Sequence, residues 1–591
     1  MTNATPSAPD GKKFKRKILM PRKKKEAEPK KSSSTARQTR PPATETAPKP
    51  EPPSKTLEVP ADASCSNLDF PVLVVGAGPT GLLLASELHR RGVPCHLIDA
   101  RPEPLHWDRA TVVHPLSLEI FESLGLVGRF MEAGCRQRAI RIHSGGKVLG
   151  TIDLSNCGSI YGFNLGVSEE VTESILTDYL HQQGGEVNRS SRLVGLTSHS
   201  DGVLADIERD SGRCRVDARW VVGCDGLHSP TRELSGIGFE GHDIAKPWAV
   251  FDATLQGWAE TFEANFVYLE TLPVILTALP GRRWRVYMRP SSPESDLVAE
   301  ASAILRLYAP AGSFVDVENP TRFHCHTKVA TKFRSGTVLL AGDAAHLCSP
   351  AEGHGMNCGL QDAFNLAWKL ALVHHGVADP ALLDSYEDER RPVAEMVTRS
   401  GDVAEHIQTM TGPAERDSRD RAIKATFGNP KSRHHEVVAE AELNVDYSRS
   451  PIVCGDANRY LAAGMRLPDT IEVQQSDGQP CRLHEFAHRA DHTLMLLGGP
   501  TANGPALVEL HTALQELTTD SPLFNANIAL STQPELPEQI GRLEPVGADL
   551  LGVQGTTLLA VRPDGFIGLR SDGDHLSALE RYRRLVHVGH P

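Results

Sequence analysis

The first ordered pattern in the chain is a short, continuous apolar run at residues 70–75. Such a run is typical of a strand buried on both faces of a parallel sheet. Residues 82–88 then present a broad apolar face at helical spacing, and Gly92 is a natural helix end. A second apolar segment at 94–98 completes the pattern, which predicts a βαβ unit.

Further along the chain the pattern changes to strands that alternate between apolar and polar positions. The segments Ala264–Leu269 and Arg283–Met288 are two of them, and Pro and Gly turns separate the strands. These features predict a mostly antiparallel sheet inserted between two halves of an α/β domain. A third apolar strand at 337–341 leads into a long helix predicted at 360–375.

The patterns divide the chain into six predicted parts. They are a disordered basic tail (1–66), the first part of a cofactor domain (67–237), an inserted substrate-domain sheet (238–333), the second part of the cofactor domain (334–412), a polar linker (413–450) and a C-terminal α/β domain (451–591). The predicted fold class is therefore α/β, with a Rossmann-like domain and an inserted sheet.

Charge and composition add limits on function. Residues 1–55 hold 15 Lys and Arg against 5 Asp and Glu, with little apolar periodicity, which predicts disorder. This tail could be a nuclear-localisation signal or a segment that binds an anionic surface, although a solvated tail without either role is favoured. No nucleic-acid partner is expected.

No apolar run approaches the roughly 20 residues of a membrane span, so the expected location is cytoplasmic. The eleven cysteines include no CxxC pair, and no metal site is expected.

The clearest chemical motif is the GxGxxG formed by Gly76, Gly78 and Gly81, with Pro79 and Thr80 between them. It follows a strand and opens a helix, which is the position in which free backbone N–H groups bind a pyrophosphate. Asp99 ends the next predicted strand, where a carboxylate accepts hydrogen bonds from a ribose. The sequence therefore predicts a dinucleotide site.

A second motif lies far downstream, at the end of the third apolar strand. Gly342 and Asp343 form a turn, and a glycine-rich stretch follows that includes Pro350, Gly355, Met356 and Asn357. The aspartate is suited to bind a ribityl hydroxyl, and the glycines let backbone N–H groups reach a flavin ring. Two separated contact regions indicate a long ligand, for which FAD fits better than NAD. A third element, the strand end at 221–226 with Asp225, is by itself only a turn signal.

These three elements, in this order and spacing, resemble the class A flavoprotein aromatic hydroxylases, the para-hydroxybenzoate hydroxylase family. The resemblance runs from about residue 70 to 400 and is most specific at 339–370. The sequence departs from the family pattern at Leu116, Glu169 and His354.

The resemblance also implies roles for individual residues. It implies a set of FAD contacts: Gly76, Gly78, Pro79, Thr80, Gly81, Asp99, Ala100 and Arg101 at the ADP half; Arg109, Pro350, Gly355, Met356 and Asn357 beside the flavin; Gly342 and Asp343 along the ribityl-pyrophosphate; and Asp225 between FAD and NAD(P)H. The C-terminal segment resembles the thioredoxin-like extension of larger members and, without CxxC, is expected to be redox-inert.

The implied activity is an NAD(P)H- and O2-dependent hydroxylation of a phenolic or other aromatic small molecule through a C4a-hydroperoxyflavin. No catalytic side chain is assigned, and a homodimer is left open. Two alternatives stay open: an FAD enzyme of other chemistry, such as oxidation or epoxidation, and a flavin-binding scaffold without catalysis.

Overall fold

The structure is a computed structural model that describes residues 68–104, 110–259, 262–519, 521–533 and 540–590. The predicted basic tail and Arg109 lie outside the described residues.

Strands and helices alternate along most of the described chain. The strands are β1 Leu68–Val75, β2 Cys95–Ile98, β3 Val112–Val113, β4 Cys135–Gln137, β5 Ala139–Ser144, β6 Lys147–Asp153, β7 Asn164–Gly166, β8 Val187–Asn188, β9 Ser191–Ser198, β10 Val203–Arg209, β11 Gly212–Gly223, β12 Phe239–Asp243, β13 Trp248–Gln256, β14 Ala264–Leu269, β15 Pro273–Leu279, β16 Arg283–Met288, β17 Ser313–Phe323, β18 His326–Ala330, β19 Arg334–Ser335, β20 Val338–Leu340, β21 His346–Leu347, β22 Cys454–Gly455, β23 Glu472–Gln474, β24 Pro480–Arg482, β25 His492–Gly498, β26 Phe524–Ser531, β27 Gly541–Leu543, β28 Thr556–Val561 and β29 Ile567–Ser571. The α-helices are α1 Pro79–Arg90, α2 Pro115–Ser123, α3 Val127–Ala133, α4 Glu169–Gln182, α5 Pro230–Leu234, α6 Leu297–Leu305, α7 His354–His374, α8 Asp384–Thr409, α9 Pro413–Gly428, α10 Pro430–Glu440, α11 Gly504–Thr518, α12 Pro545–Leu551 and α13 His575–Val588.

The first sheet confirms the predicted Rossmann-like core. Its strand order is β19-β20-β11-β1-β2-β8, with the β9–β10 hairpin attached through β11. The pairs β1–β2, β1–β11 and β11–β20 are parallel. Val72, Leu73 and Val74 are completely buried, as expected for a strand covered on both faces. The carboxyl ends of β1, β11 and β20 therefore meet at one edge of the sheet.

The second sheet is mostly antiparallel, as predicted, with the order β17-β13-β16-β15-β14-β5-β6. The exception is the parallel pair β14–β5. The hairpin β5–β6 comes from residues 139–153, before the predicted insertion, so the sheet is assembled from two parts of the chain. Sequence pattern alone misses this because the pairing of β5 with β14 is a long-range contact.

Residues 413–450, predicted as a linker, fold largely into α9 and α10. Ile423 packs with Leu149 and Leu269 on the second sheet, and an added Cβ at Gly150 would meet the Phe427 ring at 2.2 Å. The few apolar residues of these polar helices are therefore used for packing, which corrects the prediction. The boundaries of the other predicted domains stay predictions.

The C-terminal segment forms a third large sheet, β22-β29-β28-β25-β26-β27-β23-β24, with α11, α12 and α13. Its likeness to thioredoxin stays a prediction. A buried ion cluster joins it to α7 and α8: Glu389 binds both Arg562, at 2.6 Å, and Lys369, at 2.7 Å. Within the described ranges, no helix is both long and apolar enough to cross a membrane.

Candidate FAD site and its surroundings

The turn between β1 and α1 packs directly against the end of β11. Gly76 has φ of 102°, and a Cβ there would lie 2.4 Å from the Cys224 carbonyl oxygen. Only glycine tolerates both the positive φ and this close backbone approach. The first glycine of the predicted motif is thus required by the fold itself.

Gly78 differs, because the space beside it is open. The nearest heavy atom to an added Cβ is Glu173 Oε1, at 3.8 Å, and the backbone has an ordinary extended conformation with φ of −79°. Pro79 follows at the start of α1, and the first turn of a helix leaves N–H groups without helical partners. The open space in front of the partly positive N-terminal end of α1 is suited to bind a pyrophosphate.

Asp99 directly follows β2, and its carboxylate is already engaged by the chain. Oδ2 accepts from the Ala77 amide at 2.8 Å, and Oδ1 accepts from the Arg101 amide at 2.8 Å. Burial opposes ionisation, but the hydrogen bonds from Arg101 and Ala77 hold the pKa of Asp99 below its ordinary value. Asp99 therefore fixes the glycine turn to β2, while neighbouring Ala100 is exposed. Its bond to a ribose stays a prediction.

The second predicted turn lies beside the first, and Thr80 of α1 is the point of contact. A Cβ on Gly342 would meet Thr80 Oγ1 at 2.6 Å, and a Cβ on Gly359 of α7 would meet the same atom at 2.4 Å. Asp343 is exposed next to this contact. The structure thus brings together two motifs that are more than 200 residues apart in the sequence.

Sequence reasoning missed the side chain that holds the second turn, Asp362 of α7. Its Oδ2 accepts from the Gly342 amide at 3.0 Å and binds His346 Nε2 at 2.6 Å, while Oδ1 binds Arg390 Nε at 2.7 Å. Burial opposes its charge, but His346 and Arg390 lower the pKa of Asp362. Asp362, His346 and Arg390 all lie within the stretch that resembles the family, but no local sequence pattern joins them.

Helix α7 begins at His354, six residues before the predicted start, so Gly355, Met356 and Asn357 lie in its first turn. Gly353, with φ of 72°, precedes the helix and permits the early start. Asn357 donates to the Val112 carbonyl at 2.8 Å and accepts from the His114 amide at 3.0 Å. Its amide therefore secures the start of α7 to β3. The contact of Gly355, Met356 and Asn357 with a flavin stays a prediction.

A buried pair of imidazoles flanks the start of α7. His354 Nδ1 binds Glu442 Oε1 at 2.8 Å, and its ring lies 4.8 Å from that of His114. Burial opposes the charged ring, but the bond to Glu442 raises the pKa of His354 to about 10, with Glu352 and Glu440 acting in the same direction. Burial lowers the pKa of His114 to about 4. His354 is thus the cationic member of the pair at neutral pH.

This ion pair gives a testable pH dependence. The folded pKa of His354, about 10, lies above the unfolded value of about 6.5, so the pair stabilises the fold fully below pH 6.5 and loses its effect as the pH rises through 10. We expect His354→Gln to lower the melting temperature most at about pH 6, where the stabilisation is fully present. The difference from the wild-type protein should shrink towards about pH 10. An equal difference at every pH would contradict the assignment.

Asp225 accepts hydrogen bonds from the start of α5, where Ser229 is the N-terminal capping residue. Its carboxylate accepts from the Thr231 amide at 2.9 Å, from Thr231 Oγ1 at 2.7 Å and from the Ser229 hydroxyl. Burial raises its pKa against these hydrogen bonds. Its predicted link between FAD and NAD(P)H stays a prediction.

An apolar cluster from the second sheet reaches the loop before α7. Trp248, Ile275 and Cys325 are buried there, and Ala351, next to Pro350, packs against the cluster. Tyr287 belongs to the same cluster, and its hydroxyl lies 3.2 Å from Thr111 Oγ1. An apolar wall with a hydroxyl pair beside it is suited to bind an aromatic ring that carries a polar substituent.

Comparison with known proteins agrees with this geometry. A family model described as an FAD binding domain matches residues 69–400. Pentachlorophenol 4-monooxygenase of Sphingobium chlorophenolicum is 34% identical over 352 residues, which cover 57% of this chain and 65% of that protein. The 12-dehydrotetracycline 5-monooxygenase/anhydrotetracycline 6-monooxygenase of Streptomyces rimosus is 30% identical, over 84% of this chain and 94% of its own length.

Solved structures extend the likeness to the C-terminal sheet. The OxyS anhydrotetracycline hydroxylase from Streptomyces rimosus has a TM-score of 0.69 and 26% identity, and the match covers 89% of this chain and all of that one. The flavin-dependent monooxygenase PieE, solved with FAD and substrate, has a TM-score of 0.71 at 21% identity, which shows a common fold.

Proposed function

We propose that this chain, which belongs to the FAD binding domain family, hydroxylates a phenolic compound with NAD(P)H and O2 as co-substrates. The relatives to which it is similar are aromatic monooxygenases. The observation that carries the proposal is the contact of two strand-turn-helix units at Thr80. Their turns lie side by side at the carboxyl edge of a parallel sheet, where α/β proteins bind nucleotides.

The residues present fit FAD. The space beside Gly78 is open enough for a pyrophosphate, and a Cβ added at Gly78 would begin to fill it. In this proposal the first turn of α1 binds the phosphates, Asp343 binds the ribityl chain and the first turn of α7 donates backbone hydrogen bonds to the flavin ring. Bound FAD supplies the oxygen-activating redox chemistry, which amino-acid side chains lack.

The chain itself positions the substrate and excludes water. The cluster around Trp248 and Ile275 forms an apolar wall against the loop at Ala351. In this proposal Tyr287 and Thr111 hydrogen-bond the phenolic oxygen and orient the ring. No side chain is required as a nucleophile.

Tyr287→Phe tests this role for the hydroxyl pair. We expect kcat/KM for the phenolic substrate to fall about tenfold, because one substrate hydrogen bond of about 1–1.5 kcal/mol is lost. FAD affinity should not change, since Tyr287 lies on the second sheet and not on the proposed cofactor turns. An unchanged kcat/KM would rule out the proposed contact.

The proposed activity is tested by the rate of NAD(P)H oxidation in the presence of FAD. A panel of mono- and polycyclic phenols is compared with matched non-phenolic aromatics, and hydrogen peroxide is measured alongside. We expect some phenols to accelerate NAD(P)H consumption with little peroxide. A protein that binds FAD but shows no acceleration with any phenol would instead be a scaffold or an enzyme of other chemistry.

A further inference from the structure

A crevice separate from the cofactor turns lies between α2 and the C-terminal segment. It is lined by Glu119 and Ser123 of α2, by Arg466, and by His484 and His488. The histidines belong to a short 3-10 helix, Leu483–Ala487, and the residue after it. The proposed monooxygenase activity uses none of these groups.

The two imidazoles are joined by a hydrogen bond of normal length. His488 Nε2 lies 2.9 Å from His484 Nδ1, and the rings meet edge to face at 4.7 Å. Two nitrogens bound to one tetrahedral Zn²⁺ at about 2.0–2.1 Å are separated by about 3.3–3.4 Å. If the rings separated by a few tenths of an ångström and rotated so that both lone pairs converged, the two nitrogens could bind one ion in place of their mutual hydrogen bond.

Glu122 of α2 supplies a third ligand atom. Its carboxylate lies with the two imidazole nitrogens in a group whose ligand atoms are all within 4.8 Å of one another. Arg482 binds both oxygens of Glu122, and Glu485 in turn binds Arg482 at 2.8 Å. Such outer partners hold a ligating carboxylate in place, as in known metal centres.

Glu119 lies in the same crevice as a buried carboxyl group that the chain already engages. Its side chain is almost fully buried, and Oε2 accepts from Arg466 at 2.8 Å. The side chains of Ser159 and Asp469 also hydrogen-bond its carboxyl group, so Glu119 contributes to the polar wall of the crevice.

We propose that this crevice is a binding site for a divalent transition metal, with Zn²⁺ as the ion that it fits best. His484 Nδ1, His488 Nε2 and a Glu122 oxygen are the protein ligands, and a water completes the tetrahedron. Two nitrogens and one oxygen favour Zn²⁺ over Mg²⁺ or Ca²⁺, which prefer oxygen ligands. The ion would cross-link α2 to the C-terminal segment and so stabilise their contact.

The test uses the tag-free full chain with FAD, stripped with a chelator and equilibrated with Zn²⁺. We expect one tightly bound zinc per chain by elemental analysis and a raised melting temperature. The double variant His484→Gln/His488→Gln should lose this zinc and the thermal shift, while Glu122→Gln should weaken binding at least about tenfold. The matched control His374→Gln/His375→Gln removes an adjacent pair at the end of α7 and should keep both.

Three results would overturn the proposal. The first is that the wild-type protein holds no more zinc than the His484/His488 double variant. The second is that it binds zinc only in the millimolar range. The third is that the His374/His375 control loses as much zinc as the double variant. If the double variant does not fold, the milder Glu122→Gln decides, because retained FAD absorption shows that the protein is folded and unchanged zinc affinity then contradicts the site. None of these results depends on monooxygenase activity.

Discussion

Gly78→Val is expected to abolish FAD binding while the protein stays folded. The backbone at Gly78 has φ of −79° and ψ of −177°, which any residue can adopt, and an added Cβ meets no atom closer than 3.8 Å. The new side chain would instead occupy the space of the pyrophosphate in front of α1. We expect FAD affinity to fall at least about 100-fold, which corresponds to roughly 2.7 kcal/mol.

The measurement is an FAD titration of the apoprotein, with the melting temperature as the check on folding. Gly128→Val is the matched control, because Gly128 lies in α3 and an added Cβ there meets nothing within 4 Å. The control should bind FAD like the wild-type protein. Wild-type affinity in Gly78→Val would show that the pyrophosphate lies elsewhere.

Asp362→Asn is expected to produce the largest loss of stability. The substitution removes the negative charge that pairs with His346 and Arg390 in a fully buried site. Breaking a buried ion pair typically costs about 3–5 kcal/mol, because the remaining charge stays buried without compensation. The Gly342 amide also loses its carboxylate acceptor, so FAD binding should weaken as well.

The free energy of unfolding in urea measures this effect. Asp343→Asn, which changes an exposed carboxylate at the same turn, should cost less than about 1 kcal/mol in the apoprotein. Comparable losses in both variants, or a loss below about 1 kcal/mol for Asp362→Asn, would contradict the role assigned to the buried cluster.

The parts of the fold that sequence predicts well are those with local, strongly patterned signals. The strands Ala264–Leu269 and Arg283–Met288 have the predicted bounds, and β1, α1 and β2 follow the predicted βαβ unit. Apolar runs, alternation and a glycine turn are encoded within a few residues. The motifs and their spacing indicated FAD and carried the resemblance to the family, and that resemblance implied the monooxygenase class.

The features that sequence missed depend on contacts between distant segments. The Asp362 cluster joins α7 to the turn at Gly342, to β21 and to α8. The hairpin β5–β6 joins the second sheet through the pairing of β5 with β14. Helices α9 and α10 carry few apolar residues, so their packing left only a weak pattern. The contact at Thr80 likewise required the three-dimensional placement of two turns.

The most direct test of the account is isotope incorporation from labelled O2 during turnover. The FAD-loaded protein is incubated with NAD(P)H, labelled O2 and a phenol that stimulates NAD(P)H oxidation, and the product is analysed by mass spectrometry. We expect a hydroxylated phenol that carries one labelled oxygen atom, and no such product with Gly78→Val. A colourless protein that takes up no FAD, or a product whose new oxygen comes from water, would contradict it.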